Sequence, residues 1–189
     1  MADHVENRFE ILFEESKKFS TVVNLPEELI LNIFRAQTDW EFIIKIDALL
    51  EAAAKHVVKA HLNLAKSEDD DDAHAYDWFV DALPMNGRTS LLALLKINGC
   101  PTEMTDTIES VRRLRNGFAH DIRLTDSRLI DIIKRRSDKS HLIRTLCQIE
   151  RYDEAQLIKD FEKDPGYLRF SIVDATLRFL IMVYNVVVA

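Results

Sequence analysis

Residues 109–120, ESVRRLRNGFAH, decide how this chain is read. At 100° per residue, Met104, Ile108, Leu114 and Phe118 all fall within about 60° of Val111, the apolar stripe of an amphipathic helix. Arg115 lies at about +40°, inside that stripe, whereas Arg112 at about 100° and Arg113 at about 200° point elsewhere. A buried, unpaired guanidinium costs several kcal/mol, so Arg115 is expected either to meet a carboxylate or to open onto an anion-binding cleft. Gly117 sits within the helical pattern, where glycine costs ~1 kcal/mol relative to alanine. Such a glycine admits a close backbone approach or marks a helix about to end. Asn116 and His120, four apart, share another face. His120 is about 140° from Arg115 on a regular helix, so a break at or after Gly117 is needed to turn the imidazole towards the same cleft.

A second long helix, expected over Asp39 to Asn63 with Asp39 as its N-cap, supplies acids. Taking Ile43 as the centre of its apolar face, Asp47 falls at about 40° and Glu51 at about 80°. Two acids on one core-facing helix and an arginine on another predict an internal ion pair of Arg115 with Asp47 or Glu51. That pair is compatible with a purely structural motif.

Outward from these helices, composition narrows the fold. Of 189 residues, four are Gly and four Pro, a third of the usual share of about 12%. So few turn-formers argue against sandwiches, barrels and glycine-rich βα loops, and predict an all-α protein. Neither phosphate-cradling glycine motif can be written from Gly87, Gly99, Gly117 and Gly166. Cys100 and Cys147 are too few for a disulfide framework or a cysteine zinc site. His56 and His61 are five apart, off the i, i+4 spacing of a helical metal pair. No cofactor or metal is expected. The acidic N-terminus lacks the pattern of a secretory signal. Asp174, Arg178 and Asn185 interrupt the apolar C-terminal run at helical intervals, which argues against a membrane span. A cytoplasmic location is expected.

Breakers set the remaining organisation: helices over 3–18, from Pro26 through Ala36, 88–98, 102–119, 126–136, 139–148, 153–162 and 166 to the C-terminus. The acidic run KSEDDDDAHA is expected to be a solvated loop. The whole chain, 1–189, reads as one helical domain. The longest helices form its bundle, and the short ones between 126 and 162 are appended to it. Net charge is −7, unevenly spread. Residues 112–144 hold ten basic side chains against four acids, a balance of +6 that leaves −13 for the rest. A localised anion site or a charged solvent face would both look like this.

Arg115-Asn116-Gly117-Phe118-Ala119-His120 resembles the R-x4-H motif, with a polar residue after the arginine, of the HEPN superfamily (higher eukaryotes and prokaryotes nucleotide-binding domains). The wider VRRLRNGFAHD is similar to the branch containing the mannitol operon repressor and related bacterial proteins. There a long acidic-centred helix precedes a short leucine-rich one and then an RN-x-FAH helix, matched here by 39–63, SLLALLKI and 109–120. The resemblance covers roughly residues 39–125, with the C-terminal helix 166–189 completing a HEPN-like core.

The resemblance implies a helical bundle that forms a homodimer, with two motifs facing one cleft and metal-independent cleavage of RNA. His120 would take the proton of a ribose 2′-hydroxyl, and Arg115 would bind the non-bridging phosphate oxygens. Asn116 would orient either group. Arg112, Arg113 and Arg123 would guide the RNA backbone, and products would end in a 2′,3′-cyclic phosphate. Members similar to the mannitol repressor are regulatory, however, and no aromatic cluster stands beside the motif to stack bases. The alternatives are a non-catalytic regulator acting on a protein partner, with the motif serving architecture, and the toxin of a toxin–antitoxin pair.

Overall fold

A computed structural model describes residues 13–14, 17–18, 20–21, 25–64, 77–149 and 152–188. Among these residues all regular structure is helical. The elements are α1 (Leu29–Phe34), α2 (Asp39–Leu64), α3 (Asp77–Ala82), α4 (Leu91–Ile97) and α5 (Thr102–His120). A 3-10 turn over Ile122–Leu124 follows, then α6 (Leu129–Lys134), α7 (Lys139–Cys147), α8 (Glu154–Lys163) and α9 (Pro165–Val188). The helix expected over 3–18 and the KSEDDDDAHA loop lie almost wholly outside the described residues. No described helix is long and apolar enough to cross a membrane.

Local chemistry fixes the boundaries, and it corrects two expectations. Asp39 is not the cap of α2. Thr38 is: its hydroxyl accepts the Glu41 amide at 3.1 Å, while the Glu41 carboxylate accepts the Gln37 amide at 3.0 Å, a reciprocal arrangement close to a capping box. Helix α4 starts at Leu91 rather than near Arg88, because Ser90 is extended and its Oγ accepts from the Ala93 amide at 3.2 Å. Asp153 caps α8 through the Ala155 and Gln156 amides. The Gln156 side chain turns forward to Asp160 instead of closing a capping box.

Helices α2, α5 and α9 form the centre, packed on one another. Phe42, Ile43, Ile46, Leu50 and Ala54 of α2 meet Ile108, Val111, Leu114 and Phe118 of α5 and Ile172, Phe179, Leu180 and Val183 of α9, all buried. The expectation that the helices between 126 and 162 are merely appended fails for α7. It packs on both α5 and α9, and its Leu142, Ile143 and Leu146 are fully buried. The α5–α7 seam is polar as well as apolar. Thr107 Oγ1 donates to the Thr145 carbonyl at 2.8 Å, and the Ser110 and Thr145 hydroxyls share a hydrogen bond at 2.7 Å.

At the start of α2, Asp39 joins four elements. Its carboxylate accepts from Arg169 Nε of α9 at 2.7 Å and from the Leu129 amide, at the N-terminus of α6, at 2.5 Å. Arg169 also donates to the Ala36 carbonyl beyond α1 at 2.6 Å, and its guanidinium carbon lies 5.3 Å from the Phe42 ring centroid. Every group here has a partner, the condition under which a buried ion pair can persist.

Candidate functional site

The contact of α2 with α5 builds the candidate site. Asp47 projects from the core-facing side of α2 with a side chain only 7% exposed. The expected pair with Arg115 forms, but Arg112 is the closer partner. Arg112 Nη1 donates to Asp47 Oδ2 at 2.7 Å and to Glu51 Oε2 at 3.1 Å, with its side chain 20% exposed. Arg115 comes second: its Nε stands 3.6 Å from the same Asp47 oxygen, and its side chain is 40% exposed. Its Nη1 donates to the Asn116 side-chain oxygen at 3.2 Å.

The reason for this order lies on the other flank of α5. Thr107 at about −40° and Ser110 at about −100° are buried against α7. They swing the buried arc away from Arg115, which becomes its rim, and leave Arg112 facing the α2 acids. A stripe drawn through apolar residues alone misses two small hydroxyls that bury as readily once they are bonded.

Charge around Asp47 is balanced closely. Burial pushes its carboxyl above the ordinary aspartate value, and the Arg112 and Arg115 guanidinia only partly offset this. Glu51 is shared between Arg112 and Lys55, the latter at 3.3 Å. Lys55 is not among the expected participants, although the i, i+4 spacing of Glu51 and Lys55 signals it.

Helix α5 runs unbroken through Gly117 to His120. A Cβ built on Gly117 would meet nothing within 4 Å, so within the chain this glycine serves no close approach. Without a break, His120 stays about 140° around the helix from Arg115 and about 7.5 Å along it. The imidazole is exposed, and among the described residues no carboxylate or carbonyl orients it or fixes its tautomer. One chain therefore joins Arg112, Arg115, Asn116, Asp47 and Glu51, and leaves His120 outside the group.

The arginines expected to guide an anionic backbone are engaged with acids. Arg113 bonds Glu109 at 2.7 Å and stands 3.6 Å from Asp138. Arg123 makes a two-pronged contact with Asp121 at 2.8 and 2.9 Å. The same holds along the basic segment for Arg128 with Asp131, Lys134 with Glu162, Arg136 with Asp138 and Lys139 with Glu154. The local excess of +6 is thus largely compensated at short range, which weakens its reach through salt.

Burial pushes the Cys100 thiol up to about 11 and that of Cys147 up to about 12, so neither is a thiolate nucleophile near neutrality. His61 Nδ1 lies 2.9 Å from the Val57 carbonyl, the bond of a satisfied packing residue. Among the described residues no three His, Cys, Asp or Glu side chains gather as metal ligands would. No family model, curated protein or solved structure matches the chain.

Proposed function

We propose that this chain is a HEPN-like regulatory protein that acts through contacts with other proteins, its R-x4-H motif serving architecture rather than catalysis. The observation that carries the reading is the commitment of Arg112 to Asp47 and Glu51, with Arg115 drawn to the same carboxylate while His120 stands on another face without an orienting group. General acid–base catalysis needs the base within hydrogen-bond reach of the proton it moves, about 3 Å, beside the group that stabilises the phosphate. Those two roles are separated here by more than a turn of helix.

A second reading is a metal-independent endoribonuclease formed by two copies. It is favoured by Arg115, whose partly exposed guanidinium keeps donors open to an anion. A partner subunit's motif would then bring an imidazole opposite it. Incubation with RNA in EDTA separates the two. The regulatory reading expects intact RNA, with the same melting temperature for His120→Ala as for the wild type. Cyclic-phosphate ends that vanish in His120→Ala would overturn it.

A further inference from the structure

A cleft of about 560 Å³ opens where α5, α7 and α9 meet, on the α7 flank of α5. That volume falls within the ~300–1,000 Å³ range of small-molecule sites. Its charges are laid out unusually. Along the basic segment Arg113, Arg123, Arg128 and Arg136 are each bonded to an acid. Arg144, on the α7 wall of the cleft, is not. Among the described residues its hydrogen-bonding partner is the His141 ring, Nη2 to Nδ1 at a long 3.4 Å. On the α5 wall Asp106 is half-buried, and among the described residues no donor or cation is bonded to its carboxylate. A guanidinium and a half-buried carboxylate gain by closing on each other. Here they line one space and do not join.

The rest of the lining completes a mixed environment. Arg178 of α9 is anchored by Asp174 through Nε and Nη2 at 3.2 and 3.0 Å, which leaves Nη1 outside that pair. Gln148 ends α7 in the left-handed conformation, φ 48°, where Gly or Asn is usual. Its Nε2 donates to Thr107 Oγ1 at 3.3 Å, so its carbonyl remains an acceptor at the cleft. Met104 and Ile149, both packed against the core, supply an apolar wall. A simple anion would meet the carboxylates of Glu103 and Asp106, and a simple cation the two arginines, so neither is favoured alone. We infer that this cleft binds a small zwitterion with an apolar side chain, an amino acid or short peptide. Its carboxylate is held by Arg144 and Arg178, its ammonium by Asp106, and its side chain lies against Met104 and Ile149. The inference goes beyond the function proposed above and holds whether or not the R-x4-H motif is catalytic.

The probes are leucine, leucyl-leucine, N-acetyl-leucyl-leucine and leucyl-leucine amide, titrated into the whole protein by calorimetry. Inorganic phosphate and butylamine carry one charge sign each and serve as comparisons. Leucine or leucyl-leucine should bind with a Kd on the order of 10–100 μM. Blocking either end removes one charge-assisted contact and should weaken binding at least about tenfold. Arg144→Met should bind leucyl-leucine about as weakly as the wild type binds its amide, and should no longer distinguish the two. Asp106→Asn should likewise be indifferent to acetylation. Neither group has an ionic partner among the described residues, so both variants should keep the wild-type melting temperature. Leucine bound as tightly as leucyl-leucine identifies a free amino acid as the ligand, and a tighter dipeptide identifies a peptide. A Kd weaker than about 10 mM for both, a blocked form bound as well as the free one, or equal binding of phosphate or butylamine would overturn the inference.

Discussion

Helix α2 carries two acid–arginine clusters, and they are finished differently. At its first turn Asp39 is enclosed: Arg169 reaches it from α9, the Leu129 amide closes its second oxygen, and the spare guanidinium donors go to the Ala36 and Phe34 carbonyls. Two turns on, Asp47 is about as deeply buried, but its arginines stand on one helix in tandem, and the outer one, Arg115, keeps part of its guanidinium in water. A closed cluster of this kind ties elements together. A half-open one ties them together and leaves an anion-attracting edge. Only the second can be recruited for recognition without dismantling the fold.

The largest effect should come from breaking the closed cluster. Arg169→Met leaves Asp39 buried with a single amide donor, and strips two carbonyls of their partner. A loss of about 3–5 kcal/mol is expected, read as a lower denaturation midpoint in urea at unchanged slope. Arg112→Met should cost less, about 2–3 kcal/mol, because Arg115 is already 3.6 Å from Asp47 and Lys55 already holds Glu51. Arg115→Met should cost under about 1 kcal/mol, as for a partly exposed pair. Were Arg115→Met the more damaging of the two, Arg115 rather than Arg112 would be the principal partner of Asp47.

The two clusters were unequally legible. Helix periodicity placed Asp47, Glu51 and the α5 arginines on facing stripes, since residues 300–400° apart along one helix declare a shared face. It found the Arg115–Asp47 pair but missed the closer Arg112, because Thr107 and Ser110 carry no apolar signal, yet they bury through hydrogen bonds to Thr145. The Asp39–Arg169 pair was invisible. The residues are 130 apart in sequence, no local pattern connects them, and Arg169 reads as an ordinary cation on a long helix. Apart from α3, which was not expected as a helix, the described helix positions were recovered well because prolines, glycines and polar breaks punctuate this chain sparsely and unambiguously. Which short helices enter the core was not, since the burial of α7 depends on the shape left between α5 and α9.

Acid should also report on the Asp47 cluster. The Asp47 carboxyl is shifted upward by burial, so the folded state takes up its proton at a pH where the unfolded chain has not. Between the unfolded value near ~4 and that raised value, the folded state binds more protons and gains stability as pH falls. Surface carboxylates held down by neighbouring arginines, such as Asp121 and Asp131, act in the opposite sense: their contribution is present above the unfolded value and is lost as pH falls through the folded one. Asp47→Asn removes the first contribution alone. Its stability relative to the wild type, from urea unfolding at pH 7 and pH 4, should therefore worsen on acidification. A difference independent of pH would mean that the carboxyl is not shifted upward.

The smallest effect bears on whether the half-open edge is used. Gly117 stands in a regular helix with open space where its side chain would go. Alanine there should raise stability by up to ~1 kcal/mol, by restricting the unfolded chain and favouring helix. If the face beside Arg115 and Asn116 is bare in solution, Gly117→Ala should be more stable and otherwise indistinguishable from the wild type by sedimentation. If a second copy lays its backbone against this face, the methyl group collides with it, and the variant should shift from dimer towards monomer despite the more stable helix. The glycine that looked in sequence like a marker for a close approach within the chain is then a direct probe of one between chains, and of whether an imidazole can ever be brought opposite Arg115.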